Sequence, residues 1–219
     1  MSLYNPNDSR DNCGFGLIAH THGEASHQLV ETAIHGLDRM QHRGGIAADG
    51  KTGDGCGLLL QKPDAFFQAI AEENGWKLSK KYGVGMIFLS QEDTLAQAAR
   101  DVLNEELEKE TLGVVGWRKV PVDNSVLGEL ALTGVPQIEQ VFVNAPAGWR
   151  KRDLERRLYM VRRRAEKRLE KDPDFYVACL SGLVTIYKGL VMPKDLPAFY
   201  ADLADERMKS AICVFHQRF

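Results

Sequence analysis

The stretch SRDNCGFGLIAHTHG, residues 9–23, poses the question on which the fold turns. A polar leader runs into Cys13, and Gly14 and Gly16 then bracket Phe15 in an alternating segment. That alternation predicts a strand over residues 13–20. Glycines inside a strand leave room for a ligand or a second backbone to approach closely. Two readings of Cys13 stay open on these grounds. One is a buried thiol, the usual fate of a free cysteine. The other is a nucleophile that becomes the N-terminus once the leader MSLYNPNDSRDN is removed. Cleavage between Asn12 and Cys13 would free an α-amine of pKa about 8, a base able to activate the thiol beside it.

Working outward, residues 26–41 (SHQLVETAIHGLDRMQ) predict a helix with Ser26 as N-cap and Leu29, Ala33, Leu37 and Met40 as its apolar stripe. HRGGIAADGKTGDG, residues 42–55, is a polar glycine-rich loop, the kind of shaped segment that carries function on a rigid scaffold. It holds no GxxxxGK[ST] phosphate loop. Residues 56–61 (CGLLLQ) suit a buried strand, and Asp64 opens a short helix stopped at Gly75. Residues 82–90 predict a strand. Residues 93–111 predict a helix with Leu95, Ala99, Val102, Leu103 and Leu107 near one face. Two strands are expected at 113–122 and 137–146, the second alternating apolar and polar. A long helix follows over 152–172. Residues 175–191 predict two strands with a turn near Ser181–Gly182. A short helix is expected over 194–210, and a last strand over 211–219. Hairpin-like strand pairs with helices between them favour sheet layers covered by helices. A strand that runs to the final residue fits a domain cut short.

Composition narrows the function classes. At 44% hydrophobic residues the 219-residue chain can bury a substantial core. A net charge of −2 gives no global reason to expect nucleic acid or membrane as partner. The leader lacks the apolar core of a secretory signal, so a soluble, cytoplasmic protein is expected. Cys13, Cys56, Cys179 and Cys213 are too scattered for a zinc site or a disulfide framework, and the last three sit in apolar runs that make them core thiols. His20, His22, His27 and His35 show no HxxxH or HExxH spacing and read as surface or core residues. Residues 150–172 carry eleven Arg or Lys against five Asp or Glu. A nucleic-acid patch is one reading. Yet Leu154, Leu158, Val161, Ala165 and Leu169 repeat at helical spacing, so a packed helix with a solvated basic face is preferred.

The motifs NCGFGLIAH, RMQHRGG, KTGDGCGLLLQ, VFVNAPAGW, IYKGL and FHQRF occur in that order. In combination they resemble the N-terminal glutamine amidotransferase domain of the glutamate synthase large-subunit family, across essentially the whole chain. This is a class II amidotransferase with the N-terminal-nucleophile hydrolase fold. The resemblance implies an α+β, four-layer αββα sandwich of two stacked antiparallel sheets, incomplete here. It divides the chain into a propeptide-like leader, 1–12, and a partial type-2 amidotransferase domain, 13–219. It assigns Cys13 as the nucleophile that attacks the side-chain amide of L-glutamine. Arg43 and Gly44 match the loop that closes over it, and Arg218 matches the arginine that grips the glutamine α-carboxylate. The family's Asn-Gly oxyanion pair would fall after Phe219. Loss of even one such donor costs about 10²–10³ in rate, so a weak or inactive isolated chain is expected. The resemblance places no cofactor in these residues. It expects FMN and an iron–sulfur cluster elsewhere in the full-length enzyme, with its other domains and its small subunit or electron donor as partners. An exposed sheet edge makes a homo-oligomer an expectation too. A non-catalytic binding or structural module with the same fold is the rival reading; a retained leader would favour it.

Overall fold

A computed structural model describes residues 13–218; the expected leader, residues 1–12, lies outside the described residues. Eight strands form two antiparallel four-stranded sheets. The first runs β1 (Gly14–Ala19), β8 (Ile212–Gln217), β2 (Cys56–Gln61), β7 (Val184–Gly189). The second runs β4 (Gly113–Lys119), β5 (Gln137–Asn144), β3 (Tyr82–Leu89), β6 (Tyr176–Ser181). The α+β sandwich expectation holds in this arrangement. Inner-face residues of both sheets, among them Leu58, Tyr187, Phe215, Met86 and Phe142, share one apolar core. A second core, with Ile87, Val141, Leu103 and Leu158, fills the space between the second sheet and helices α3 (Asp93–Lys109) and α5 (Lys151–Arg168).

Helix α1 (His27–Asp38) starts where expected: Ser26 Oγ accepts the Leu29 amide at 3.2 Å. It packs beside the second sheet on the inner face of the first, where Gly36 and Gly16 accommodate the Phe215 ring. The opposite face of the first sheet leaves Phe15 and Leu17 exposed. Helix α2 (Asp64–Glu73) inserts Phe66 and Phe67, the latter 5.7 Å from the Phe142 ring.

Four expectations are corrected. Residues 175–191 do give two strands, but no hairpin: β6 belongs to the second sheet and β7 to the first, so the turn at 182–183 carries the chain between layers. Strand β5 is not half-solvated. It is central and covered on both faces, so Glu139 and Gln140 are buried. Glu139 accepts from Arg100 at 3.1 Å and the Gln140 amide donates to the Tyr187 hydroxyl at 3.4 Å, while Gln140 Oε1 has no partner among the described residues. On α3 the core-facing residue is Ala96, while Leu95 is exposed. Finally, residues 194–210 are not one helix. A 3₁₀ turn at Pro193–Asp195, α6 (Leu196–Phe199) and a 3₁₀ turn at Ala201–Ala204 succeed one another. Tyr200 breaks the run in an extended conformation, stacking edge-on to Tyr187 and donating its hydroxyl to the Lys188 carbonyl at 2.7 Å. Burial of that ring and its hydrogen bond outweigh one more helical turn.

The basic helix is neutralised across the layer rather than only along itself. Glu110 of α3 is clamped by Arg157 and Arg164 of α5, and Arg168 reaches Glu105 and Glu106. The Arg157 hydrogen bond, foremost, holds the Glu110 carboxyl below its ordinary range. A depressed folded-state value stabilises the fold above the unfolded pKa, about 4.3 for Glu. That contribution is lost as pH falls through the depressed value. Thermal stability is therefore expected to fall steadily below about pH 4, and Glu110→Gln is expected to flatten the slope. Melting curves from pH 2.5 to 7 check this; identical slopes for variant and wild type would exclude Glu110 as a source.

Candidate active site

Cys13 is exposed at the head of edge strand β1, whereas Cys56, Cys179 and Cys213 are buried. Burial pushes the Cys56 thiol up to about 12 and Cys213 up to about 11, and raises Cys179 as well. Those three thiols stay protonated and inert near neutrality, as expected of core cysteines. Among the described residues, no group of three or more His, Cys, Asp or Glu side chains is placed to hold a metal ion.

Sheet register brings the other site residues to Cys13. Gly14, the next residue, pairs with Gln217 of β8, and Gln217 pairs with Cys56 of β2. Arg218 therefore leaves the sheet one strand away from Cys13. Arg43 and Gly44 end a 3₁₀ turn, Gln41–Arg43, that directly follows α1. The Arg43 side chain crosses Gly14, its Cγ 3.2 Å from where a Cβ on Gly14 would stand. All four site residues expected from the sequence thus gather at one end of the first sheet.

Two devices hold them. Arg218 adopts φ +85°, left-handed backbone that side-chain-bearing residues seldom occupy. Its amide donates to the Gly55 carbonyl at 2.9 Å, and its own carbonyl accepts from His216 Nδ1 at 2.9 Å. The bend ends β8 and carries Nε of Arg218 to 3.3 Å from Asp54 Oδ2. The same Asp54 oxygen accepts the Gly45 amide at 2.8 Å. Asp54 therefore ties the Arg43–Gly44 turn to Arg218 and leaves the outer guanidinium nitrogens for a ligand. Further along, Asp49 accepts from the amides of Lys51, Thr52 and Leu130 and from the Thr52 hydroxyl. Those bonds, the Thr52 side chain's first, hold its carboxyl well below the usual range. They dock the 46–53 loop onto α4 (Glu129–Leu132), a helix that the sequence reading left out.

Asp54 and Gln217 were also missed. The only local signal for Asp54 is an acid between two glycines in KTGDGCG; Gln217 sits inside the quoted FHQRF motif without standing out. Both acquire meaning only when β2 and β8 pair.

A cavity of about 510 Å³ lies elsewhere. It opens between the ends of β3 and β7 and the 127–136 segment, with Phe88, Leu127, Ile138, Tyr176 and Val191 among its walls. No cysteine or histidine lines it. The Cys13 end instead gathers an exposed thiol, a guanidinium and a glycine turn.

Residues 13–219 match the family described as class-II glutamine amidotransferases. The glutamate synthase [NADPH] large chain of Bacillus subtilis is 40% identical over 221 residues, which cover 100% of this chain and 14% of that protein. The corresponding large chain of Azospirillum brasilense is 39% identical, covering 100% and 15%. Ferredoxin-dependent glutamate synthase 2 of Synechocystis is 39% identical, covering 97% and 14%. The chain thus spans about one seventh of the length of these relatives. Among the described residues no helix is long and apolar enough to cross a membrane.

Proposed function

Because the chain belongs to the class-II glutamine amidotransferases, we propose that it is the glutaminase part of a glutamate synthase, hydrolysing L-glutamine to L-glutamate and ammonia for amination of 2-oxoglutarate. The observation that carries this reading is Cys13, the exposed cysteine, at the head of β1 beside the Arg43–Gly44 turn and one strand from Arg218.

The chemistry follows from these groups. Removal of residues 1–12 frees the Cys13 α-amine, which takes the thiol proton. The sulfur attacks the glutamine side-chain carbonyl carbon. The tetrahedral intermediate collapses, the C–N bond breaks, and the amide nitrogen leaves as ammonia after receiving that proton. Water then attacks the γ-glutamyl thioester, the C–S bond breaks, and glutamate departs with the thiol restored. Arg218 holds the α-carboxylate through two parallel hydrogen bonds, the geometry a guanidinium fork provides, while Asp54 orients it from behind. Arg43 and Gly44 cover the site. In this reading the flavin and the iron–sulfur cluster belong to the remainder of a longer protein. Three buried, separated cysteines are no ligand set for a cluster, and no step above passes through either group. The partners are L-glutamine, the other domains of that protein, and its small subunit or electron donor.

Intact mass before and after treatment with 6-diazo-5-oxo-norleucine, a glutamine-like electrophile, tests the assignment. Loss of residues 1–12 with a single adduct on Cys13 is expected in the full-length protein. A retained leader with an unmodified Cys13 would favour the non-catalytic binding module instead.

A further inference from the structure

Gln217 is the residue of this site whose chemistry is unfinished. The residue is 1% exposed, and among the described residues neither Nε2 nor Oε1 has a hydrogen-bond partner. Each buried amide atom without a partner is destabilising, and nearly all such groups in folded proteins are satisfied. The carboxamide is not packed at random. Its Nε2 end abuts Gly44, where a Cβ would overlap with it. Its backbone sits between Gly14 and Cys56 in the sheet. The unsatisfied amide thus faces the turn that carries Arg43, on a residue whose backbone pairs with the one that follows Cys13.

Resting on the glutaminase reading, we propose that Gln217 is a positioning residue: its carboxamide hydrogen-bonds the backbone of the Arg43–Gly44 turn when glutamine occupies the site, and so holds that turn over Cys13. Without ligand the amide waits unpaired. The amides of Arg43, Gly44 and Gly45 already donate to Met40, Gln41 and Asp54, so a small shift of the turn toward the substrate brings a backbone carbonyl of the turn to Nε2. Ligand binding and satisfaction of a buried polar group then become one event, so part of the affinity for glutamine is stored in Gln217. The bond is present in both the bound ground state and the transition state, and such uniform interactions appear in KM rather than kcat.

The test uses full-length protein and begins with the wild type, whose glutamine-dependent ammonia release establishes the underlying reading. If that release is absent, the glutaminase assignment fails, and Gln217 is then judged by the ligand-dependent hydrogen exchange of the 41–45 segment in wild type and variant. Gln217→Met keeps the volume and removes both polar atoms. KM for glutamine is expected to rise about tenfold with kcat within twofold, and the melting temperature to stay level or rise, because two unsatisfied groups are gone. Hydrogen exchange of the 41–45 segment is expected to slow on adding glutamate in the wild type and not in the variant. An unchanged KM, or a KM rise accompanied by a falling melting temperature, would overturn the proposal. Should Gln217→Met not fold, Gly44→Ala reports on the same contact from the other side. Its methyl displaces the carboxamide and is expected to raise KM to a similar degree; an unchanged KM there would equally overturn it.

Discussion

Replacing Cys13 by alanine in the full-length protein is expected to lower glutamine-dependent glutamate formation by more than about 10³-fold, the scale on which an enzyme loses rate with its nucleophile. Formation from added ammonia is expected to persist within a factor of two. The separation follows from the chemistry. Ammonia bypasses every step that needs a sulfur nucleophile, and an alanine at an exposed strand head disturbs no packing. No other described thiol can substitute, because burial keeps Cys56, Cys179 and Cys213 protonated. Parallel assays with glutamine and with ammonium salt decide the matter. Equal loss of both activities would remove Cys13 from the role of nucleophile.

The second large effect is expected at Arg218. Arg218→Asn should raise KM for glutamine about 10²-fold, since the fork that pairs a carboxylate with two charge-assisted hydrogen bonds is gone. Arg218→Lys keeps the charge without the fork, and a rise of about tenfold is expected. Stability should move the other way. Arg218 holds φ +85°, and strain of this kind costs of order 1–3 kcal/mol. Asparagine adopts left-handed backbone more readily than most residues. The ion pair that is lost, with Asp54 at 3.3 Å, is half-exposed, and such pairs contribute little. Relief of strain should therefore win, with the melting temperature of Arg218→Asn rising by about 2–4 °C. Steady-state kinetics and a thermal melt on the same preparations check both halves. A lower melting temperature together with an unchanged KM would mean that Arg218 serves the fold and not the substrate.

Much of this molecule was legible in its sequence. Strand β1 and helices α1, α3 and α5 follow from spacing, because a 2.0 or 3.6 residue period records which side of a local element is buried, while β2, β3 and the core position of three cysteines follow from apolar runs and the Ser26 cap from residue type. The stripe Leu154, Leu158, Val161 and Ala165 is read the same way and is buried throughout. The residues at the head of β1 and in the RMQHRGG and FHQRF motifs named the site as a set.

Tertiary structure decided the rest. That β6 and β7 join different sheets, that β5 is covered on both faces, and that Tyr200 interrupts a helix all depend on partners far away in the chain, for which a short window holds no signal. The same holds for the site's finer parts. Asp54 and Gln217 have no distinguishing neighbours in sequence; each becomes significant because antiparallel pairing of β8 with β1 and β2 sets Gly14, Gln217 and Cys56 side by side. Residue type and local period determined the elements and brought Cys13 forward as a candidate. Long-range register, which fixes who lies opposite whom, determined how Asp54, Gln217 and a strained Arg218 are arranged around it.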